Sequence, residues 1–380
     1  ARRADFGKRL PRNPDGTCPF RFIIPNMPKT YHVIGLMSGT SLDGLDIAYC
    51  RFVLSANKWS GEIIKASTNK YPEVWKNKLS QAASLPAPDF MLLHNEYGRY
   101  CGHQVKKFLS KNHFTPDFIS SHGHTIFHQP EKQLTVQIGS GAALAAETGI
   151  TSVSDFRITD VALHGQGAPL VPIGDALLFA DFDICLNIGG ISNLSYQKKS
   201  KRIAYDVSPA NMVMNYLARK AGKDYDAGGK TASTGKVSLP LLTMLDQLDY
   251  YMIEPPKSLG REWIETAFLA LLDSMPEISL EDKLRTCTEH IAGQIARQIN
   301  AIKAGKVLVT GGGALNKFLM SRIKQQCKAE IVIPAKETVE YKEALIFAFL
   351  GVLRMRNENN CLKSVTGAKK DNCGGTVFLP

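Results

Sequence analysis

The chain has 380 residues, of which 44% are apolar and 21% charged, and a formal net charge of +11. This length suits two domains better than one core, the composition is that of an ordinary globular protein rather than a disordered one, and no apolar run reaches the ~18 residues of a membrane-spanning helix. Seven Lys/Arg and only two acids fall in residues 1–29; the remainder has 39 basic and 33 acidic residues, a mild excess that suits nucleotide-like anions. Because no basic run is interleaved with aromatics, nucleic acid is not an expected partner.

Residues 1–29 lack periodicity and lack the apolar core of a signal peptide, and are expected to be an added leader or a disordered extension outside the fold. Apolar patterning predicts strands over 31–37 and 45–53, and Leu92, Leu93, Tyr97, Val105 and Leu109 predict a helix over 88–109. A short buried strand over 117–121, a strand over 134–138, a helix over 142–148 and a strand over 151–154 follow. The last leads into a polar loop, DFRITDVALHGQGAPLVP. Strands are predicted over 184–188 and 193–197, with the charged KKSKR at 198–202 as a solvated hairpin turn. Helices over 211–221, 264–273 and 287–303, a strand over 306–310, a helix over 314–328, a strand over 331–333 and a long helix over 342–354 complete the chain. Strands and helices mix throughout, which is the α/β class.

Eight cysteines are scattered, none at zinc-type spacing. Cys50 and Cys185 fall in apolar strand patterns, where a free thiol behaves as a small buried hydrophobe. A reducing cytoplasm is the expected location.

Two segments share one plan: IGLMSGTSLDGLDIAY (34–49) and CLNIGGISNLSYQ (185–197) are each an apolar strand, a glycine loop with hydroxyls, and a second apolar strand. Repetition of the plan suggests two related domains that face each other, each offering one loop. A phosphate cradle needs backbone N–H groups converging on one point, hence residues free of Cβ bulk or tolerant of unusual φ. The loop of Gly39, Thr40, Ser41, Leu42, Asp43, Gly44, Leu45 and Asp46 meets this need, and Asp43 or Asp46 suits Mg²⁺ held through water. Gly189, Gly190, Ser192 and Asn193 form the second candidate cradle. Gly311, Gly312 and Gly313, with Asn316, follow the strand KVLVT at the opening of a helix and form the third. Two further patterns are set aside. GGKT (228–231) lacks the glycine of a Walker loop, since Asp224 stands five positions back, and although His124 and His128 are four apart, Gly123 and the following HQP argue against the helix a metal site of His122, His124 and His128 would need. Those histidines suit hydrogen bonding at a site.

The blocks GLMSGTSLDGLDIA, SHGHT, TVQIG, DFRITDVALHGQGAPLVP, LNIGGISNL, PPKSLGRE, TGGGALN and VTGA run in one order from residue 34 to 368, and together the chain resembles the anhydro-N-acetylmuramic acid kinase family. The resemblance implies two ribonuclease H-like domains around a nucleotide cleft, the actin-like ATPase fold, with domain closure on binding. Residues 30–153 plus 361–380 would form the first domain and 154–360 the second. It implies ATP and Mg²⁺ as cofactors, a small sugar substrate, a cytoplasmic homodimer, and conversion of 1,6-anhydro-N-acetylmuramic acid to N-acetylmuramic acid 6-phosphate. In that reaction water opens the anhydro ring and O6 takes the γ-phosphoryl group. The family's general base corresponds to Asp206 in AYDVSPAN, and the matching substrate contacts are His122, Arg157, Asp160, Asn211 and Glu343; Glu262 is a further cleft candidate. The chain departs from the family at Ser208 and Ala210, where glycines are usual, at His164, where Gly is common, and at Thr159, where many members have Arg. These departures bear on the choice of sugar and on activity, and the alternative readings are a kinase of a different anhydrosugar or a non-catalytic nucleotide-binding homologue.

Overall fold

A computed structural model describes residues 29–380; the expected leader, apart from Lys29, lies outside the described residues. The first half contains strands β1 (Thr30–Ser38), β2 (Gly44–Ser55) and β3 (Lys58–Lys70), helices α1 (Glu73–Gln81) and α2 (Ala87–Asn112), strands β4 (Phe118–Gln129) and β5 (Leu134–Ile138), helix α3 (Gly141–Thr148) and strand β6 (Ser152–Ser154). Helices α4 (Ile158–Ala162) and α5 (Val171–Leu178) then lead to β7 (Ile184–Ile188), β8 (Ile191–Lys198), β9 (Lys201–Pro209) and α6 (Asn211–Lys220). After α7 (Lys230–Thr234) and α8 (Leu239–Asp246), a π-helical stretch, Ile264–Leu269, joins α9 (Arg261–Trp263) to α10 (Ala270–Asp273). The chain closes with α11 (Leu280–Ile302), β10 (Lys306–Thr310), α12 (Lys317–Gln326), β11 (Glu330–Val332), α13 (Lys336–Met355), α14 (Lys363–Thr366) and β12 (Thr376–Phe378).

The strands form two sheets, ordered β12-β6-β4-β1-β2-β3, with β5 added on β4, and β11-β10-β7-β8-β9. Each begins with three antiparallel strands in chain order, β1–β3 and β7–β9. Each then adds a parallel pair on the free side of its first strand, β4 and β6 or β10 and β11. The plan seen in the two glycine segments is therefore a duplicated ribonuclease H-like sheet, and the fold is the expected two-part, actin-like α/β architecture.

The first sheet is covered on both faces, which explains its long apolar runs. On one face Tyr31, Val33, Ala48, Cys50 and Phe52 meet the run Ala344–Leu353 of α13. On the other, Ile34, Leu36, Leu45 and Ile47 meet Leu93, Tyr97, Cys101 and Val105 of α2. The second sheet packs on α6, α11 and α12. Helix α13 lies so close to β1 that a Cβ on Gly35 would stand 2.1 Å from the carbonyl oxygen of Ala344. Gly35→Ala is therefore expected to destabilise by about 1–3 kcal/mol, as overpacking of a well-filled core does; a urea midpoint equal to that of the wild type would contradict this close approach.

Several elements lie outside the sequence expectation. Strand β3 alternates exposed with half-buried residues and carries little apolar signal. The polar loop 155–172 contains α4, and α5 starts at its end. Helix α13 begins at Lys336, six residues before the predicted start, and its backbone departs from helical angles at Tyr341 (φ −118°, ψ 17°). Helices α5 and α13, counted with the second domain in the expected division, lie at the junction and pack on strands of both sheets. A buried ion pair marks this junction: Lys342 Nζ stands 2.7 Å from Asp175 Oδ1 of α5, and Asp175 Oδ2 accepts from Ser195 Oγ of β8 at 2.5 Å.

Candidate active site

The first loop is the turn between β1 and β2, closed by the Leu42 N–H donating to the Gly39 carbonyl at 3.3 Å, with Leu42 at a left-handed φ of 60°. Thr40, Ser41 and Asp43 are exposed at its tip, whereas Leu45, expected at the nucleotide, turns its side chain into the core. Gly44 is required by crowding: a Cβ there would lie 2.6 Å from the Asn69 carbonyl oxygen. Asp46 accepts from Thr68 Oγ1 at 2.5 Å. Burial raises the Asp46 pKa, the Thr68 hydrogen bond opposes this, and the like charges of Asp43 and Glu340 add to the rise.

The second and third loops meet each other. Carbonyls of Gly189 and Gly190 accept the N–H groups of Asn211, and of Ala210 and Met212, so the β7–β8 turn caps the start of α6. Gly311 has a left-handed φ of 82°, and a Cβ on it would stand 2.6 Å from Asn187 Oδ1 at the end of β7. A Cβ on Gly313 would clash with Ile188. These glycines are required by close approach of β7 to the loop after β10. The Gly311 N–H donates to the Val339 carbonyl at 3.2 Å, and Glu340 lies within charge range of Asp46. The first turns of α13 thus join the third loop to the first, and all three glycine loops gather around this helix end.

Beside them stand His122, Arg157 and Glu343. Arg157 Nη2 is 2.9 Å from His122 Nε2, and its Nη1 donates to the Gly167 carbonyl at 2.6 Å. The arginine must be the donor, so His122 is neutral with its proton on Nδ1, which faces the Gly123 carbonyl at 2.9 Å. Burial and then the Arg157 charge push the His122 pKa down to about 3. Burial also lowers Arg157, to about 10, with Glu343 opposing, and the guanidinium stays charged at neutral pH. Its Nε is buried without a partner. Glu343 is open to solvent yet walled in; desolvation raises its pKa, Arg157 lowers it and Asp46 raises it further. His124 and His128 pair with Ser38 and Thr135 instead, and the GGKT segment is a helix start capped by Asp226.

Asp206 sits on β9, opposite Asn193 of β8 at a bulge in the ladder. Segment 250–259 grips it at three points. Leu259 N–H donates to Asp206 Oδ2 at 2.8 Å, Tyr250 Oη to its carbonyl at 2.7 Å, and its own N–H to the Lys257 carbonyl at 3.0 Å. Among the described residues Oδ1 has no protein partner. Burial raises the Asp206 pKa above its ordinary value of 3.8, and the Leu259 N–H partly offsets this. PPKSLGRE contributes this grip through Lys257 and Leu259; Glu262, the residue that stood out in the sequence, is an exposed acid at the start of α9.

The arrangement, three glycine loops gathered beside a desolvated carboxylate, is compatible with phosphoryl transfer. The family model described as anhydro-N-acetylmuramic acid kinase matches residues 31–380. The chain belongs to the anhydro-N-acetylmuramic acid kinase family. The anhydro-N-acetylmuramic acid kinase of Hydrogenovibrio crunogenus is 35% identical over 371 residues, covering 93% of this chain and 99% of the relative. That of Mannheimia succiniciproducens is 36% identical, covering 93% and 100%. Among solved structures, the activator of the 2-hydroxyisocaproyl-CoA dehydratase from Clostridium difficile with bound ADPNP is similar at TM-score 0.42 and 11% identity, over 86% of this chain and 97% of its own.

Of the four residues expected to depart from the family's pattern, two are buried, one takes a left-handed turn and one is exposed. Ser208 is fully buried, and its hydroxyl meets the Pro209 carbonyl and Tyr251 Oη, at 2.9 and 3.2 Å. Ala210 is fully buried in the second core. Both side chains are buried in the protein interior. His164 has a left-handed φ of 64°, the conformation a glycine adopts freely. Thr159 is exposed.

Besides Leu45, three expected contacts have polar groups engaged within the protein. Asp160, expected at the sugar, is wholly buried: Oδ2 accepts the Gly167 N–H at 2.8 Å, and Oδ1 accepts from Thr366 Oγ1 and Asn372 Nδ2, at 2.9 and 2.8 Å. With both oxygens occupied, it anchors the loop that carries Arg157. Asn316 caps α12, accepting the Leu319 N–H at 3.1 Å, and Ser192 donates its hydroxyl to the Ser208 carbonyl at 2.9 Å. A sequence cannot distinguish such inward-facing polar residues from ligand contacts, because both lie in the same loops.

Proposed function

We propose that the chain is an ATP-dependent kinase that converts 1,6-anhydro-N-acetylmuramic acid to N-acetylmuramic acid 6-phosphate and hydrolyses the anhydro ring in the same event. Asp206 is the general base. Its free Oδ1 takes a proton from water; the water oxygen bonds to the anomeric carbon; the bond from that carbon to O6 breaks; and O6 accepts the γ-phosphoryl group, releasing ADP. The geometry of Asp206 carries this reading: one carboxylate oxygen is fixed by Leu259 N–H and the other is unbonded, in surroundings that raise its proton affinity.

The loop of Gly39–Asp46 and the glycines at 189, 190 and 311–313 receive the phosphates, with Asn193 beside Asp206. His122, Arg157, Asn211 and Glu343 face the sugar, Arg157 presenting a fixed charge and Glu343 a second acid. No three His, Cys, Asp or Glu side chains among the described residues are grouped closely enough to hold a metal unaided. The carboxylates of Asp43 and Asp46 suit Mg²⁺ held partly through water, where the ion would neutralise phosphate charge. The proposal includes action in the cytoplasm as a homodimer. No helix among the described residues is long and apolar enough to cross a membrane. Incubation with Mg-ATP and the anhydrosugar should yield ADP and a 6-phosphosugar in equal amounts. ADP release that is independent of the sugar, or no turnover over a panel of anhydrosugars, would overturn the reading.

A further inference from the structure

A groove of about 450 Å³ opens at the end of the second sheet opposite the glycine loops. Phe182, Ile302 and three alanines form its apolar wall, and Arg202, Lys303, Gln197 and Asp183 supply polar groups. Arg202 is 5% exposed. Its Nη2 donates to the Ser195 carbonyl and hydroxyl at 3.2 and 2.8 Å, but its Nε is buried without a partner.

The local charges do not balance. Asp175, the acid bonded to Ser195, is paired with Lys342 at 2.7 Å, and among the described residues no carboxylate stands within ion-pair distance of Arg202. At the groove rim Asp183 Oδ2 already accepts the N–H groups of Gly305 and Lys306, at 2.8 and 2.9 Å. Lys306 Nζ, 5.1 Å from the centre of the Phe182 ring, adds a further positive charge. A desolvated cation without a counter-charge is costly, and an anion of suitable size relieves it.

We propose that this groove binds a small organic anion, with its carboxylate or phosphate on Arg202 and Lys303 and its compact apolar body against Phe182 and Ile302. The site is separate from the cleft, and its occupancy does not depend on the kinase reading.

The test is calorimetry on the full chain, with a non-hydrolysable ATP analogue filling the cleft, using benzoate and phenyl phosphate as probes. One or both should bind saturably with Kd of about 1 mM, and which of them binds identifies the preferred head group. Neutral benzyl alcohol, which lacks the charge, and inorganic phosphate, which lacks the apolar body, should each bind at least about tenfold more weakly. Ala180→Leu fills the groove and Lys303→Glu reverses a charge at its exposed rim. Both leave the buried Arg202 network intact, and each should weaken the better probe by about tenfold or more while circular dichroism stays unchanged. Failure of both anions to bind saturably, or undiminished binding by the two folded variants, would overturn the proposal.

Discussion

Asp206→Asn is expected to reduce kcat by about 10²–10⁴-fold, the contribution a positioned general base makes, while leaving calorimetric ATP binding at its wild-type value. The substitution is nearly isosteric. The amide oxygen can still accept the Leu259 N–H, and the Tyr250 hydroxyl still meets the backbone carbonyl, so the strand end should keep its shape. What disappears is the capacity to take a proton at Oδ1. The same assignment fixes a pH effect in the wild type. Burial raises the Asp206 pKa above 3.8, so the active carboxylate is lost as pH falls through a value above the ordinary aspartate range. The kcat/KM profile should show an acid limb there, and the residual activity of Asp206→Asn should lack it. An asparagine variant with near-normal turnover would remove Asp206 from the chemistry, whatever became of the nucleotide site.

Lys342→Met should be the most destabilising of the substitutions considered. It leaves Asp175 Oδ1 buried opposite a thioether, and breaking one side of a buried ion pair costs about 3–5 kcal/mol. Lys342 and Asp175 side chains are 6% and 5% exposed, so water cannot substitute for the lost partner. The double variant Lys342→Met, Asp175→Leu should be less destabilised than the single one, because it removes the stranded charge as well. Urea unfolding of wild type and both variants separates these cases. A loss below about 1 kcal/mol for Lys342→Met would place the pair with ordinary surface ion pairs.

How far the sequence discloses this molecule depends on where its signals lie. Strands β1, β2, β7 and β10 are legible because their apolar runs are packed by helices on at least one face, and the repeated strand–glycine–strand plan corresponds to the duplicated sheet order. Strand β3 is obscured because its pattern is mostly polar, and α5 because it begins inside a motif read as loop. At the site, glycines 311 and 313 were visible as glycines, but the reason for them, the end of β7 pressing against the turn, exists only in three dimensions. Asp160 and Ser192 looked like ligand contacts because residue type does not record direction. The grip on Asp206 was hidden for another reason: Lys257 and Leu259 act through main-chain groups, which carry no residue-specific signal.

Helix α13 has a consequence beyond the site. It gives Val339 to the core under the second sheet and Ala344–Leu353 to the core under the first, and its last turn leads to the segment that returns as β12 beside β6. Neither sheet therefore owns a complete hydrophobic interior. Loss of the first sheet strips away a helix whose opening turn closes the other core, and loss of the second frees the end of the helix on which the first sheet rests. The two halves look like separate bodies in their strand order, but they share one reserve of stability, and melting either draws on both.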